Sequence, residues 1–402
     1  MPPAVSSVEA VTARPTFVRI EAVDVLRGLA LFGVLAINID TEFRVTFFEQ
    51  FLPSPAPAGQ VDRAVAAFLK TALEFKAFSL FSCLFGMGLA MQFEHLAGRG
   101  DRLMLLIRRL LALLAFGLIH LTLIWNGDIL TEYAVAGFFV LPLLFAPTGV
   151  IAASAGAALV FFLALPWLPI SLGFPDRAWL VAHVAVARDI YAHGTFSTIL
   201  AFRISEIPYI ASLHAYVFPR TVALMLFGVL VWRSGLIANA PRHGKLLGGA
   251  AIILLGLGAL LSLLTSKAGI TAGLALSETS AILAGALLPV VLAIGYAAVV
   301  IWTISCTRNR SLLAWAGPVG QMAFTNYITE SVLLGLIFYG YGFGLLGKLG
   351  VVAACGVGLV IYAAQVFLSR WWLQSYLFGP LEWLWRTLMY GKCQPWYRQP
   401  AK

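Results

Sequence analysis

Long apolar runs separated by short polar connections make up most of the chain, and their lengths predict its elements. A helix needs about 20 apolar residues to cross a hydrocarbon core of roughly 30 Å. Ten segments approach or reach that length, at 23–41, 77–94, 105–125, 129–146, 149–170, 215–233, 247–265, 280–303, 319–340 and 349–369. The pattern therefore predicts an all-α, polytopic transmembrane helix bundle of about ten spans over residues 21–390.

Two of the predicted connections are much longer than the others. Residues 42–76 contain three prolines, and the part from 61 to 76 then places charged and apolar residues at helical spacing, which favours a helix at the membrane interface. Residues 171–214 form the longest polar stretch, and loops of that length are often functional. We predict outer loops at 42–76 and 171–214, and an amphipathic helix over 371–390.

Composition and charge support this class and predict an orientation. Hydrophobic residues make up 60% of the chain and charged residues 11%, whereas about a quarter of the residues in a soluble protein are charged. The short connections at 95–108, 233–246 and 304–310 are basic, so the positive-inside rule predicts that the N-terminal segment 1–20 and the tail 391–402 are both cytoplasmic. The net charge of +9 is then a signal of topology and does not predict nucleic-acid binding.

The sequence predicts neither a removed signal peptide nor a metal site. The first 20 residues have no apolar core and no small-residue cleavage site. The four cysteines are dispersed, and the six histidines show no spacing typical of metal ligands. We therefore expect no permanently bound cofactor.

The first predicted span carries a polar stripe made of Asp24, Arg27 and Asn38. At 100° per residue, Arg27 and Asn38 lie about 20° apart around the helix, and Asp24 lies about 60° from Arg27. A charge in hydrocarbon costs on the order of 3 kcal/mol or more, so the stripe is expected to face protein or a cavity, where it would bind substrate. The alternative is that Asp24 and Arg27 pair at the membrane rim and only anchor the helix.

A second polar group surrounds His120, which precedes Asp128 by about two helical turns, or ~12 Å. A neutral imidazole near a carboxylate can take a proton from a hydroxyl or an amine, so His120 is the candidate base, with Asp128 or Glu132 tuning it. The alternatives are an N-cap role for Asp128 and an interhelical hydrogen bond for His120.

A third polar group lies on the ninth predicted span, where Asn326 and Glu330 share one helix face at i, i+4. These residues, together with Lys76 at the start of the second predicted span, are candidates for substrate binding. Polar residues that join two helices, or that mark the membrane interface, are the alternative.

Five motifs in order along the chain resemble one family: Asp-Val-Leu-Arg-Gly-Leu-Ala-Leu-Phe-Gly at 24–33, Phe75-Lys76 with Leu-Phe-Gly-Met-Gly at 84–88, His120 with Trp-Asn-Gly-Asp-Ile-Leu at 125–130, Gly317-Pro318 through Asn326-Tyr327, and Gly-Pro-Leu-Glu-Trp-Leu-Trp-Arg at 379–386. This is the YeiB-like family of integral membrane proteins, which carries the domain of unknown function 418. The resemblance covers nearly the whole chain and implies a bacterial cytoplasmic (inner) membrane protein.

The YeiB-like family is similar in turn to a wider group of transmembrane acyltransferases. That resemblance implies transfer of an acyl group from cytoplasmic acyl-coenzyme A, such as acetyl-CoA, to a lipid- or glycan-type acceptor with a hydroxyl or an amine. One motif differs, because Asn38 stands where the acyltransferase-3 enzymes carry a histidine after Arg27, and asparagine is no general base.

Under this interpretation His120 deprotonates the acceptor, Arg27 binds the phosphates of the donor and Asn38 donates to the thioester oxygen. The alternative function is a transporter or lipid flippase whose path is lined by the intramembrane polar residues.

Overall fold

The computed structural model describes residues 20–53, 59–266 and 276–398. Within these residues the chain forms fifteen α-helices and no β-strand. The helices are α1 Glu21–Asn38, α2 Gln60–Phe68, α3 Lys76–His95, α4 Arg102–Ile119, α5 Leu130–Leu143, α6 Thr148–Ala164, α7 Arg177–His193, α8 Phe196–Arg233, α9 Gly244–Thr265, α10 Glu278–Cys306, α11 Ser311–Ala314, α12 Gly317–Gln321, α13 Ala323–Phe338, α14 Val351–Ser375 and α15 Pro380–Tyr390.

The predicted bundle of membrane-spanning helices is confirmed. Eight helices in the described part of the chain are long and apolar enough to cross a membrane, and each overlaps one of the predicted spans. The two remaining predictions, at 129–146 and 319–340, correspond to α5 and α13, which are apolar but shorter. The chain is an all-α polytopic membrane protein.

The prediction of a loop over 171–214 is wrong. Residues 177–193 form α7, and α8 begins at Phe196, so the span predicted at 215–233 is only the second half of a 38-residue helix. Some polar residues of this region pair between the two helices, since His183 Nε2 of α7 lies 2.7 Å from Glu206 Oε1 of α8. Polar residues that pair with each other are compatible with a packed helix.

The amphipathic helix predicted over 371–390 also needs correction. The long helix α14 continues to Ser375, and a separate helix, α15, begins at Pro380. Proline at the first helical position has no N–H that an α-helix would need, which fixes the start of α15 there. α15 packs against α4 and α13.

Helix α1 is the most deeply buried of the candidate spans and packs against α3, α10 and α12. Its contact with α12 depends on two glycines. A Cβ at Gly28 would lie 2.1 Å from the carbonyl oxygen of Ala316, and a Cβ at Gly320 would lie 1.8 Å from that of Asp24. The two backbones are therefore in direct contact, and this contact fixes the position of the Asp24–Arg27 turn along the axis of the bundle.

Three helices end in a π-helical turn. α1 continues into Ile39–Phe43, α2 into Leu69–Leu73 and α4 into His120–Ile124. Such turns are rare and frequently occur at functional sites. The turn after α4 begins at His120, the candidate base.

Candidate functional site

A cavity lies at the end of the bundle where α1 begins, and we call it the arginine cavity. Its volume is about 540 Å³, within the usual range for a ligand site. It is enclosed by α1, α3, α4, α5, α12, α13 and α15. Its polar lining comprises Asp24, Arg27, Gln92, His95, Arg109, Gln321, Glu382 and Arg386.

Three guanidinium groups give the arginine cavity its name. Arg27 lies 3.3 Å from Asp24 and meets Arg109 across Gly88, where a Cβ would stand 3.5 Å from one guanidinium and 3.9 Å from the other. Both guanidinium groups therefore approach the same point on α3. Arg386 stacks on an aromatic ring at 4.3 Å, and Arg109 lies 4.8 Å from the ring of Trp385. Arg109 Nη1 also donates to the Gln92 side-chain oxygen and to the Gly88 carbonyl oxygen. A guanidinium group suits a phosphate because its planar fork of N–H groups matches two phosphate oxygens.

Helix α15 is held in place by Glu382. Its carboxylate accepts hydrogen bonds from the backbone N–H groups of Phe324 (2.8 Å) and Thr325 (3.0 Å) and from the Thr325 hydroxyl (2.6 Å), so it caps the start of α13. Burial raises the pKa of this carboxyl, and the hydrogen bonds from Thr325 and Phe324 oppose the shift. Trp385 Nε1 donates to the Arg109 carbonyl oxygen at 2.9 Å, so α15 forms one wall of the arginine cavity.

The inner end of the arginine cavity reaches the His120 region. It is lined there by Ile129, Leu130, Tyr133 and Tyr327. The Tyr327 ring lies 5.1 Å from the ring of His120, and Ile129 directly follows Asp128. His120 itself is completely buried. One layer of side chains therefore separates the cavity from the imidazole.

The His120 ring is oriented by Asp128. His120 Nδ1 lies 2.8 Å from Asp128 Oδ1, and since a carboxylate only accepts, Nδ1 carries the hydrogen and Nε2 is the basic atom. Nε2 has no hydrogen-bond partner among the described residues. Asp128 also accepts from the backbone N–H groups of Leu130 (3.1 Å) and Thr131 (2.7 Å). Asp128 thus holds the start of α5, as its alternative helix-capping role predicts, and it also orients the imidazole. Its part in catalysis stays a prediction.

Glu132 does not pair with His120. It accepts from His214 Nδ1 at 2.5 Å and from the Thr221 hydroxyl, both on α8. These groups border a smaller cavity of about 210 Å³, which we call the His214 pocket. Its lining includes Asp128, Glu132 and His214 together with apolar residues of α4, α5 and α8. Asp128 therefore lies between the two cavities.

The remaining candidates lie outside both cavities. Asn38 is buried at the end of α1, where its Oδ1 has no hydrogen-bond partner in the described chain. Lys76 donates to the carbonyl oxygen of Lys70 at 3.0 Å. Asn326 donates to Ser369 Oγ at 3.0 Å, as expected for the helix-joining alternative, and Glu330 is buried one turn later with neither carboxylate oxygen hydrogen-bonded to a described residue. Their assignment to catalysis or substrate binding remains a prediction.

Four site residues were not identified from the sequence: Arg109, His214, Glu382 and Arg386. The partners of Arg109, His214 and Glu382 are far away along the chain, at separations such as 276 residues between Trp385 and Arg109. The motif at 379–386 was the one available signal for Glu382 and Arg386.

Comparison with known proteins identifies the family. Residues 231–392 match the family model described as "Protein of unknown function (DUF418)". The chain is 32% identical to YxaH of Bacillus subtilis (strain 168), over 94% of this chain and 96% of that protein. The chain belongs to the DUF418 family. The family prediction is therefore confirmed.

Further relatives agree with this membership. YeiB of Escherichia coli (strain K12) is 30% identical over 91% of this chain and 94% of that protein. A 39.9 kDa protein encoded in the amylase 3′ region of Bacillus acidopullulyticus is 26% identical over 94% of this chain. All three relatives are named as uncharacterized proteins, so the similarity shows the family and no function. A function has to be argued from the site.

Proposed function

We propose that this DUF418 protein is a membrane-embedded acyltransferase that transfers an acyl group from cytoplasmic acyl-coenzyme A to an amine or a hydroxyl. One observation carries the proposal. A single cavity has three arginines at the end where α1 begins, and its inner end lies one side chain from a buried histidine–aspartate pair. Guanidinium groups suit phosphates, and an oriented imidazole suits proton transfer.

The arrangement of charges supports a cytoplasmic donor. The connections at the arginine end include the basic segments 95–108, 233–246 and 304–310, and the positive-inside rule places such segments in the cytoplasm. The arginine cavity then faces the compartment that contains coenzyme A thioesters. A bacterial inner-membrane location is part of this proposal.

The chemistry follows from the geometry around His120. The acceptor oxygen or nitrogen attacks the thioester carbonyl carbon, while His120 Nε2 takes the proton that the acceptor loses. Asp128 holds the imidazole in the required tautomer and stabilises the imidazolium. When the tetrahedral intermediate collapses, the carbon–sulfur bond breaks and the proton passes from His120 to the departing thiolate.

A transporter is the second candidate, and one observation favours it. Two cavities lie on either side of the His120–Asp128 pair, an arrangement that also fits a path with a central barrier. The two functions differ in one measurable respect, because only an acyltransferase forms a covalent product.

The test is transfer of label from radiolabelled acetyl-CoA to a total lipid and glycan extract by the purified protein in detergent. We expect label in an acceptor with the wild type, and no label with a folded His120→Ala variant. The matched control is His193→Ala, an exposed histidine on α7 that is expected to leave transfer unchanged. A fully active His120→Ala variant would reject this base, and absence of both transfer and stabilisation by acetyl-CoA would favour transport.

A further inference from the structure

Part of the lining of the His214 pocket is exposed on the outer surface of the bundle. Val135 on α5 and Ala211 and Ala215 on α8 line it and are exposed. Other exposed side chains near this part of α4 and α5 are large and apolar, such as Leu123 and Phe139. Because apolar surface of this kind faces the acyl chains in a membrane protein, a molecule can enter the pocket sideways from the bilayer.

The polar groups of the His214 pocket select the chemistry of its ligand. Its titratable lining consists of two carboxyls, Asp128 and Glu132, and one imidazole, His214, and no lysine or arginine is among the residues that line it. Arg220 interacts electrostatically with Glu132 from further along α8 without lining the pocket. Two carboxylates favour a hydrogen-bond donor or a cation over an anion.

His214 has one ring nitrogen left for a ligand. Its Nδ1 donates to Glu132, which is also bound by the Thr221 hydroxyl, so the ring is fixed and Nε2 is the ring nitrogen left to contact a ligand. Asp128, the partner of His120, lines the same pocket. A ligand in this pocket therefore shares it with Asp128, one member of the pair to which the proposed proton transfer is assigned.

We propose that the His214 pocket binds the acceptor, and that the acceptor is a membrane lipid with a primary amine in its headgroup. The inference rests on the proposed acyltransferase function. In the reaction, the neutral amine nitrogen forms a bond to the acyl carbon and the carbon–sulfur bond of the acyl-coenzyme A breaks. One proton leaves the nitrogen through His120 and ends on the thiolate, which gives an N-acylated lipid and free coenzyme A. His214 is a positioning residue in this scheme.

The first experiment blocks the pocket. In nanodiscs that contain phosphatidylethanolamine, Ala211→Trp places an indole in the pocket, whereas Ala201→Trp places one on the exposed surface of the same helix outside it. We expect Ala211→Trp to lower transfer from radiolabelled acetyl-CoA at least tenfold and to keep the thermal stabilisation by acetyl-CoA. Ala201→Trp is expected to stay within twofold of the wild type. Transfer by Ala211→Trp at the wild-type rate would overturn the proposal.

The second experiment separates positioning from folding. We expect His214→Gln to raise the KM for phosphatidylethanolamine more than tenfold with kcat changed less than threefold and with unchanged affinity for acetyl-CoA. A purely structural role would instead lower the melting temperature and the affinity for acetyl-CoA together. Preferred acylation of phosphatidylglycerol or of soluble glucosamine would reject the lipid amine and leave the acyltransferase function intact.

Photocrosslinking tests the pocket independently of acyl transfer. A phosphatidylethanolamine probe with a headgroup diazirine is expected to label residues 207–218, and the labelling is expected to disappear in Ala211→Trp. If no variant or wild-type protein transfers acetyl groups but this labelling is seen, the proposed function fails while the lipid site stands. If labelling of 207–218 is absent, the lipid site is rejected.

Discussion

The buried His120 and the half-buried His214 are each oriented by one carboxylate, and the two carboxylates differ in what else they bind. Asp128 binds His120 and also two backbone N–H groups at the start of α5. Glu132 binds His214 and a threonine hydroxyl. Asp128 therefore couples the position of an imidazole to a helix terminus, which restricts its movement more than a second side chain would.

Asp128→Asn tests this coupling. The amide oxygen can still accept from one of the two backbone N–H groups at the start of α5, so the melting temperature is expected to fall only modestly, but an amide no longer stabilises an imidazolium at His120. We expect kcat for acyl transfer to fall about 10²–10⁴-fold. Transfer assays beside thermal unfolding check the prediction, and an unchanged kcat would show that His120 is not the base.

Arg109 offers a second test at the residue scale. It lies opposite Arg27 across Gly88 in the arginine cavity. A hydrogen bond to a charged group contributes roughly 1.5–3 kcal/mol, so Arg109→Gln is expected to raise the Kd for acetyl-CoA about tenfold or more. The control is Arg99→Gln, an exposed arginine paired with Asp101. Equal weakening by both variants would mean that general basic charge, and no specific site, attracts the donor.

At the scale of elements, α15 shows how a short helix completes a site. The Glu382 carboxylate of α15 accepts hydrogen bonds at the first turn of α13, and the Trp385 indole of α15 donates a hydrogen bond to the backbone of α4. Because burial raises the pKa of Glu382, the ionised carboxylate is less favourable in the folded protein than in the unfolded chain. The contact is therefore sensitive to pH.

The sign of this pH dependence can be stated. Below the ordinary pKa of 4.5 Glu382 is protonated in both states, and above its raised pKa it is ionised in both. Stability is thus expected to decrease as pH rises between these two values and then to level off. The effect is measured as the difference in melting temperature between the wild type and Glu382→Gln across this pH range. A difference that does not vary with pH would contradict it.

The sequence predicts helices and contacts correctly where the residues that determine them are close together in the chain. Span positions follow from apolar length, and the Asp24–Arg27 pair and the His120–Asp128 pair join residues only three and eight apart. The first half of α8 was misread as a loop because its polar residues interrupt the apolar pattern, whereas Glu206 is buried and bound to Asn126, 80 residues away. Partners at that distance, including His214 with Glu132, cannot be inferred from one sequence.

At the scale of the whole molecule, the two cavities make the proposed reaction directional. The arginine cavity, which is proposed to bind the donor, lies at the end where α1 begins, and the His214 pocket lies beyond the His120–Asp128 pair. The donor is charged and cannot cross the bilayer, so only one face of the membrane can supply it.

Sealed membrane vesicles of defined orientation test this directionality. We expect acetyl-CoA added outside to label lipid in inverted vesicles, whose cytoplasmic face is exposed, and not in right-side-out vesicles. Permeabilising the second preparation with detergent is expected to restore labelling. Equal labelling of both intact preparations would contradict the proposed orientation of the arginine cavity.

Because of the π-helical turn at His120, the orientation of this side chain depends on the exact number of residues in the turn. The Trp125 N–H bonds to the His120 carbonyl oxygen, five residues back, at 2.8 Å, whereas an α-helix bonds four residues back. Deleting one residue among 121–124 would let this turn close as ordinary α-helix. His120 would then rotate by about 100° relative to Asp128 while every apolar segment kept its length. A single-codon deletion could thus leave an insertable bundle without an aligned imidazole, and natural length variation at this turn would separate active relatives from inactive ones.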